Sequence, residues 1–479
     1  MCLNELKIQL RARTPLWTGG VGGTTDRLHE TGILGSLRWW YEAIVRGLGG
    51  TACDPSQHTC NFDGEKYRKS RAPDEHQRLR DAGLCDVCQV FGATGWKRQF
   101  QLEASLTKGE IDVTEGMWPS GRIYPDRRGY RAGGWLLRGG YHGELILRFM
   151  GDPHILCCEI LPTLRLMEQW GALGAKTSLG YGVFQIEQVT LDGASDVEES
   201  CPDLCATSPV GAWWWKGTLP SEAQPYTGIL PALSNMFFAK VRFRPEDPRW
   251  WQEFPEVRWL VQESIPKDEA IWVGEGKSPS GPYNIRNPLP ADILERWYEC
   301  NHHFPLAPIL RNFLRYKLIC DNGESDWCKF LFGTVRGKTR ICGYCGHSVR
   351  EDNRHPGNWW CGNGKVSLPS TGVVRDGKRI QSKIRVSWAY KTESEEWEFR
   401  IWGWLPRNPS HQGIPDVVSA IREWLAKSSL EVESPTGGAK VILPTHSFHW
   451  WPDPTELLDQ TKLLEALERL RQGGPGGVP

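Results

Sequence analysis

The sequence has no apolar run of 18 residues, which excludes a membrane-spanning helix of the usual length. It also has no net charge, since 57 Lys and Arg balance 57 Asp and Glu, so the whole chain does not behave as a polycation. The first residues lack the pattern of a secretory signal peptide, and we expect a cytoplasmic protein. The 479 residues are enough for about two or three domains.

Tryptophan is unusually abundant. There are 25 Trp, against 12 Tyr and 15 Phe. Rings interleaved with basic residues can stack on unpaired RNA bases while the basic groups meet phosphates. For any single Trp, however, a place in the hydrophobic core is the better interpretation.

The zero net charge hides an uneven distribution. Residues 1–186 carry +3, residues 187–230 carry −6 and residues 231–479 carry +3. The acidic segment also contains Pro, Ser and three consecutive Trp, which is typical of an inter-domain linker. Nucleic-acid binding by either half is therefore compatible with the zero total.

Hydrophobic periodicity predicts the same order of elements in both halves. The first half is predicted as strand, helix, strand, helix and strand, over about 6–13, 31–48, 143–149, 155–170 and 183–191. The second half has predicted strands at about 237–244, 383–390 and 396–404 and predicted helices at about 306–318 and 416–426. This order indicates the α+β class, with two tandem ferredoxin-like (RRM-like) domains and a Gly-rich loop in each.

These patterns predict the domain limits. The expected parts are a first domain with a Cys-rich insertion, an acidic linker, a second domain with a Cys cluster, and a C-terminal helix with a disordered tail, over 1–190 (insertion about 51–90), 191–230, 231–450 (cluster about 328–361) and 451–479.

Fifteen Cys, an odd number, do not suggest a full disulfide framework. Instead, several lie at metal-ligand spacing. The best set is Cys53, Cys60, Cys85 and Cys88, in which Cys85 and Cys88 form a C-x2-C pair; His58 is an alternative to Cys60. We predict a structural zinc site there, since no general-base motif such as H-E-x-x-H accompanies it.

A second, weaker zinc set lies in the other half. Cys342 and Cys345 form another C-x2-C pair, with Cys361 as a third ligand. His347 or His355 is the fourth candidate, and Cys328 is an alternative. A second structural zinc is therefore an expectation of the sequence.

The segment from Gly174 to Gly182 contains three glycines around Lys176. It is not a P-loop, because Ala175 stands where that motif requires glycine and a strand follows instead of a helix. A Gly-rich loop still lets backbone N–H groups approach a polyanion, with Lys176 adding charge. The alternative is an ordinary glycine turn.

Longer motifs resemble a known family. The stretch from Thr14 to Gly20 resembles the opening of the RAMP superfamily of CRISPR systems. Segments 30–43, 46–55, 88–96 and 173–184 resemble the first-numbered subunit of type III-B Cmr effector complexes. The matches beyond residue 230, Phe332-Gly333, Ser382 to Ile384 and Trp402 to Trp404, are shorter.

The resemblance implies a non-catalytic RNA-binding subunit. It would cap the 3′ end of the crRNA and help capture complementary target RNA beside other Cmr subunits, and no membrane or DNA contact is expected. The first Cys set matches the zinc-finger-like insertion of the family. With the basic segments, the expected RNA-binding residues are Trp17, Thr18, Gly19, Gly20, Arg38, Arg46, Lys97, Arg98, Arg127, Arg128, Arg131, Lys176, Thr177, Ser178, Gly180 and Arg311.

Two other functions are weighed against this one. RAMP relatives that cut RNA use an Asp in the loop after the first strand or a His-centred site, and Asp26 and His29 lie in that region here. A Trp-rich sugar- or peptide-binding module predicts acids near the rings, which the basic strand patterns argue against.

Overall fold

The computed structural model describes most of the chain. The described residues are 4–20, 25–54, 58–126, 129–192, 228–261, 287–319, 326–333, 341–342, 350–351, 358–361, 364–367, 373–374, 381–406, 416–433 and 440–451. Only the backbone is described for 121–126, 129–132, 259, 261, 326–327 and the short strands between 341 and 374.

The first half folds around a four-stranded antiparallel sheet. Its elements are β1 (Asn4–Ala12), α1 (Glu30–Gly47), β2 (Phe100–Asp126), β3 (Gly129–Gly151), α5 (Pro153–Ile155, Leu156–Ile160 with a π-helical turn, and Leu161–Trp170) and β4 (Phe184–Leu191). The strand order is β2-β3-β1-β4. This is the βαββαβ arrangement of a ferredoxin-like domain, so the predicted α+β class is confirmed.

An insertion of three short helices separates α1 from β2. These are α2 (Gly64–Lys69), α3 (Glu75–Asp81) and α4 (Asp86–Phe91). The insertion has a small core of its own, in which Leu79 and Leu84 pack with Cys60 and Cys88. A core this small needs a further source of stability, which is consistent with a metal site.

The second half repeats the plan with additions. Its helices are α6 (Pro255–Val261), α7 (Ala291–Glu299), α8 (Leu306–Phe313, continuing as Leu314–Leu318), α9 (Asp326–Phe332) and α10 (Val417–Leu425). Its strands are β5 (Met236–Phe243), β6 (His303–Phe304), β7 (Ile341–Cys342), β8 (Arg350–Glu351), β9 (Asn358–Cys361), β10 (Gly364–Ser367), β11 (Val373–Val374), β12 (Ile384–Val386), β13 (Ala389–Lys391), β14 (Trp397–Trp404), β15 (Ser429–Val432) and β16 (Val441–Trp451).

The main sheet of this half has the order β15-β16-β5-β14-β13-β6, and β12 pairs with β14. Strands β16, β5, β14 and β13 thus occupy the positions that β4, β1, β3 and β2 hold in the first sheet. The predicted internal repeat is therefore present in the strand order, while the exact domain limits remain a prediction.

The long β2–β3 hairpin joins the two halves. The Met117 N–H donates to the Asn287 carbonyl at 2.8 Å, and the Leu289 N–H donates to the Met117 carbonyl at 3.1 Å. Trp118, fully buried, meets the ring of Phe304 edge-on. The sequence pattern did not indicate this hairpin, because its tip is rich in Gly and Arg instead of alternating apolar residues.

Strand β1 buries one face, as its alternation predicts. Leu6, Ile8 and Leu10 have no exposed surface. The opposite face is not an open cationic surface, however, because Arg11 pairs with Glu144 at 3.1 Å and with Glu187 at 2.7 Å. The expectation of a free basic strand face is corrected by these carboxylates on the neighbouring strands.

The tryptophans are mainly core residues. Thirteen are buried: Trp17, Trp40, Trp118, Trp170, Trp250, Trp251, Trp297, Trp388, Trp397, Trp402, Trp404, Trp424 and Trp451. Four more are half-buried, namely Trp39, Trp96, Trp135 and Trp450. No Trp is exposed among the residues whose side chains the structure describes, so the core interpretation holds for those Trp.

Some predicted segments cannot be compared with the structure, and three cysteines differ from the prediction. The acidic linker, apart from its two ends, and the C-terminal helix and tail lie outside the described residues. Cys157, Cys158 and Cys328 are buried and disulfide-bonded, which the odd number of cysteines did not predict. Among the described helices, none is long and apolar enough to cross a membrane.

The two halves meet tightly at the Gly-rich loop (residues 174–182). The peptide and indole N–H groups of Trp388 donate to the carbonyls of Gly180 and Leu179, at 3.1 and 2.8 Å. Gly180 has a φ of +95°, and a Cβ there would lie 2.4 Å from Cδ1 of Trp388. Only glycine satisfies both the turn and this contact.

We expect Gly180→Ala to destabilise the chain by about 3 kcal/mol, because the new methyl overpacks the junction and strains a left-handed turn. The measurement is the midpoint of chemical denaturation. Gly35→Ala is the matched control: nothing lies within 4 Å of its added Cβ on α1, so it should leave stability unchanged or raise it slightly. Equal midpoints for the two variants would contradict the junction described above.

Candidate functional site

Two loops of the first half lie side by side. They are the Thr-Pro loop (residues 14–20), which follows β1, and the Gly-rich loop, which precedes β4. The Ala175 N–H donates to the Trp17 carbonyl at 2.7 Å, and the Gly182 N–H donates to a carbonyl of the Thr-Pro loop at 2.9 Å. Residues predicted separately in sequence thus form one continuous surface.

Lys176 is the cation of this surface. Its backbone adopts the left-handed conformation, with a φ of 56°. The Nζ atom lies 3.4 Å from the ring centroid of Trp17, so the ammonium sits on the indole face. Burial, with the nearby Arg138 charge, lowers the pKa of Lys176 to about 8. An anion that approaches Lys176 would restore the charged form.

The Thr-Pro loop is fixed to the start of α1. The Thr18 hydroxyl accepts from the His29 N–H at 3.0 Å and donates to the Arg27 carbonyl at 3.2 Å. Trp17 and Thr18 are buried, whereas Gly19 and Gly20 are half-buried. Of the predicted RNA-binding residues in this loop, the glycine backbone is therefore the accessible part.

His29 and Asp26 form a hydrogen-bonded pair beside this loop. The distance from Nε2 to Oδ1 is 2.8 Å. The Asp26 side chain is 67% exposed and the His29 side chain is 15% exposed. The bond to His29 lowers the pKa of the Asp26 carboxyl. The two residues of the alternative catalytic hypothesis are thus in contact.

The side chains of Arg38 and Arg46 make their contacts inside the protein. On α1 they bracket Glu42, and each guanidinium lies 3.0 Å from its carboxylate. Arg46 is buried and also donates to the carbonyls of Cys53 and Pro231, both at 3.2 Å. A guanidinium held in this way presents no surface to a phosphate, so Arg46 is left out of the interface proposed below.

Arg311 is likewise buried. It donates to the carbonyls of Ser178 and Phe332 and to the Ser382 hydroxyl. Through Ser178 it supports the turn of Thr177 and Ser178, both half-buried, from the second half. The remaining basic candidates are dispersed.

Lys97 is exposed on the insertion, and Arg98 donates to the Phe100 carbonyl at 2.7 Å. Arg127 and Arg128 lie outside the described residues, and the side chain of Arg131 is not described. The structure therefore brings together the two loops but not the dispersed arginines.

Arg138 belongs to the basic, Gly-rich segment 119–140 but is not among the RNA-binding residues predicted above. Its guanidinium lies 5.7 Å from the Trp17 ring centroid and pairs with Glu115 at 2.7 Å. The β2–β3 hairpin carries both residues to the loop surface. Only recognition of that hairpin would have placed Arg138 here.

The first Cys set forms a candidate metal centre. The sulfur atoms of Cys53, Cys60, Cys85 and Cys88 all lie within 4.8 Å of one another, and those of Cys53 and Cys88 are 3.6 Å apart. Sulfurs that surround zinc tetrahedrally at about 2.3 Å are about 3.8 Å apart, so the four ligands fit this metal. Cys60, and not the exposed His58, belongs to the set.

Outer contacts support the same assignment. The Cys53 and Cys85 N–H groups donate to the sulfurs of Cys85 and Cys60, both at 3.4 Å. Arg38 donates to the Cys88 sulfur at 3.3 Å. Among these neighbouring thiols, hydrogen bonds from Cys85 and Cys88 and the Arg38 charge lower the pKa of Cys53, whereas hydrogen bonding and burial raise the pKa values of Cys85 and Cys88. Donors around the sulfurs stabilise the thiolates that zinc requires.

The second Cys set is not described in the same detail. Cys345 and His347 lie outside the described residues, and for Cys342 and Cys361 only the strand backbone is described. Cys328, the alternative ligand, is disulfide-bonded and has no free thiolate to offer. A second zinc stays a prediction.

The first Cys set should hold one zinc ion per chain, because four thiolates at this spacing satisfy its coordination. We expect Cys85→Ser combined with Cys88→Ser to remove that ion and to lower the thermal midpoint, since the insertion has little other core. Elemental analysis of the purified chain measures the first effect and calorimetry the second.

Cys300→Ser is the matched control, since Cys300 is a free, exposed cysteine away from the cluster. Its zinc content should equal that of the unmodified chain. A zinc content that the double substitution leaves unchanged would exclude this set as the metal centre.

The chain is similar in part of its sequence to a family model, and it is similar to several solved structures. The RAMP superfamily model matches residues 9–185. No curated protein sequence matches the chain. Solved structures that are similar include Cmr1 from Pyrococcus furiosus in its apo form, at 12% identity and a TM-score of 0.35, with 88% of this chain and 96% of that chain covered.

Two further similar chains come from type III-B Cmr-beta complexes bound to cognate target RNA. One, which also contains AMPPnP, is 12% identical with a TM-score of 0.38, covering 89% of this chain and 99% of that one. The other is 11% identical with a TM-score of 0.33, covering 88% and 100%. The match to the RAMP superfamily model begins within β1, ends at the start of β4 and includes both loops.

Proposed function

We propose that this chain is a non-catalytic RNA-binding subunit of a type III-B CRISPR (Cmr) effector complex. In that complex it contacts the 3′ end of the crRNA and helps capture complementary target RNA. The motifs from Thr14 to Gly20 and from Gly174 to Gly182 support the proposal, because they match the RNA-facing segments that the Cmr resemblance implies.

One observation carries the proposal, the joining of the Thr-Pro and Gly-rich loops into a single surface around Lys176. The glycines keep side chains away from the backbone, so a phosphate can approach peptide N–H groups closely. Lys176 supplies a charge whose desolvation is partly offset by the Trp17 ring. The phosphates of a single-stranded RNA backbone are anions that can bind these N–H groups and Lys176.

The proposed partners are crRNA, target RNA and other Cmr subunits. Base stacking on exposed tryptophans is not part of the proposal, since the described Trp are buried or half-buried. The interface rests instead on phosphate contacts, which are sequence-independent. This suits a subunit that must accept many guide and target sequences.

The paired Asp26 and His29 favour a second candidate, an endoribonuclease. A hydrogen-bonded His could act as a base toward a ribose 2′-OH. The reaction also needs a group that stabilises the charged phosphorane. Within the described residues no basic side chain is hydrogen-bonded to this pair, although the Arg27 charge acts on Asp26. Binding without cleavage is therefore the better-supported function.

RNA affinity should fall as the pH rises from 7 to 8.5. The pKa of free Lys176 is about 8, and a bound phosphate raises it. Below pH 8 Lys176 is mainly charged in both the free and the RNA-bound chain. Above pH 8 the free chain has lost this proton, so it must take up a proton when it binds RNA. The expected loss of affinity from this residue is about fourfold. Fluorescence anisotropy with an oligonucleotide of adenine and cytosine, whose bases do not titrate here, measures it.

Lys176→Arg provides the control, because guanidinium stays charged throughout this range. The ratio of the affinity at pH 7 to that at pH 8.5 should be about fourfold smaller for this variant than for the unmodified chain. Identical ratios would remove Lys176 from the interface, and no binding at low salt, alone or in the complex, would refute the proposed function.

RNA should remain intact with the purified chain. Furthermore, an assembled complex that carries Asp26→Asn and His29→Ala should cleave its target as fast as the unmodified complex, because the chemistry belongs to another subunit. Denaturing gels of labelled RNA measure both. Cleavage that is lost in the double variant, with RNA binding retained, would establish the endoribonuclease instead.

A further inference from the structure

Three cations lie buried near the junction of the halves. Arg311 is on α8, Lys383 immediately precedes β12, and Arg385 is within β12. Lys383 and Arg385 both lie near the ring of Trp404, at 6.0 and 5.4 Å from its centroid. Arg311 and Lys383 are 4% and 9% exposed, and Arg385 is half-buried. We call these three residues the cation set.

Aromatic rings are the main neighbours of the cation set. The Arg385 guanidinium lies 4.5 Å from the Trp39 ring centroid and 5.4 Å from that of Trp404. The Lys383 Nζ lies 3.7 Å from the Phe330 ring centroid, and its hydrogen bond to the Phe330 carbonyl is long, at 3.5 Å. These rings attract cations but carry no net charge.

Within the described residues, no ion pair joins a carboxylate to any member of the set. The Nε atoms of Arg311 and Arg385 are buried without a hydrogen-bond acceptor. Arg311 has only neutral acceptors, two carbonyls and a hydroxyl. Three neighbouring cations are thus held without a counter-ion, which is costly unless an anion joins them.

Two other cations of the same half have a carboxylate nearby. Arg242 pairs with Glu398 at 2.8 Å, and Arg400 lies 3.7 Å from the same residue. In contrast, burial lowers the pKa of Lys383 to about 7 and that of Arg385 to about 10. For Arg311, burial and the charges of Arg315 and Arg385 lower the pKa to about 9. Within the described residues, the positive charge of the cation set is therefore not balanced by a carboxylate.

We infer that Arg385, the half-buried member of the cation set, binds a backbone phosphate of single-stranded RNA together with Lys383, as a second anchor beyond the loop surface. This inference rests on the proposed function. The set adjoins the Gly-rich loop, since Arg311 donates to the Ser178 carbonyl two residues from Lys176. We therefore expect one RNA strand to contact Lys176 and then Lys383 and Arg385. A guanidinium and an ammonium near the same ring suit a phosphate.

The test is RNA binding by the full chain with Lys383→Gln and Arg385→Gln, measured over a range of salt concentrations. We expect affinity to fall about tenfold at low salt, because a charge-assisted contact is lost. The slope of log K against log salt should become shallower by about 0.7, the value for one phosphate of a single strand. The thermal midpoint should stay equal or rise, since two unpaired charges are removed.

A matched control removes two exposed lysines, with Lys66→Gln and Lys69→Gln on α2. It has the same change in net charge and should keep the affinity and slope of the unmodified chain. Arg385→Lys, which keeps the charge, should keep the slope as well.

The outcomes separate this inference from the proposed function. Binding by the unmodified chain, with unchanged affinity and slope in the Lys383/Arg385 variant, overturns the second anchor and leaves the proposed function standing. No RNA binding by the unmodified chain refutes the proposed function itself. A thermal midpoint that falls in the variant would show a structural role for the pair.

Inorganic phosphate identifies the source of the anion. If it raises the thermal midpoint of the unmodified chain but not of the variant, while RNA binding is equal in both, the set binds free phosphate and the RNA assignment is wrong. RNA binding that is weakened in the variant, with the predicted change in slope, supports the assignment.

Discussion

The structure depends on the close approach of the Gly-rich loop to Trp388. Gly180 has no side chain to hold the halves apart, and both N–H groups of Trp388 donate to loop carbonyls. The second half therefore fixes a loop that belongs to the first. Because Lys176 begins the same turn, its position over Trp17 follows from this contact. The loop surface is a property of the two halves together.

Charge pairing determines which cations are available for function. Along β1, Arg11 is neutralised by glutamates on the adjacent strands, and along β5 Arg242 is neutralised by Glu398. Counting basic residues in the sequence therefore overestimates the basic surface. Lys176, Lys383 and Arg385 stand apart since aromatic rings, and not carboxylates, lie against them. Rings hold a cation in place and leave its charge for an anion.

Much of the fold could be predicted from the sequence, because strands and helices that bury one face show a hydrophobic periodicity. The alternation of Leu6, Ile8 and Leu10 predicted the buried face of β1, and the spacing of the Cys set predicted that its cysteines lie together; the structure shows both. Non-local pairing is different. The partners of Arg46 are a carbonyl seven residues away and one 185 residues away, and no pattern in the sequence indicates such contacts. Arg46 was therefore expected at the RNA surface although it is buried.

Arg46 also connects the candidate metal centre to the second half. It donates to the carbonyl of Cys53, a predicted zinc ligand, and to that of Pro231, where the second half begins. Glu42 holds it in place together with Arg38, which itself contacts the Cys88 sulfur. The two guanidiniums share the Glu42 carboxylate, so the Cys cluster and the start of the second half are joined through one set of contacts. Because Arg46 contacts the second half, the insertion is linked to the junction on which the loop surface depends.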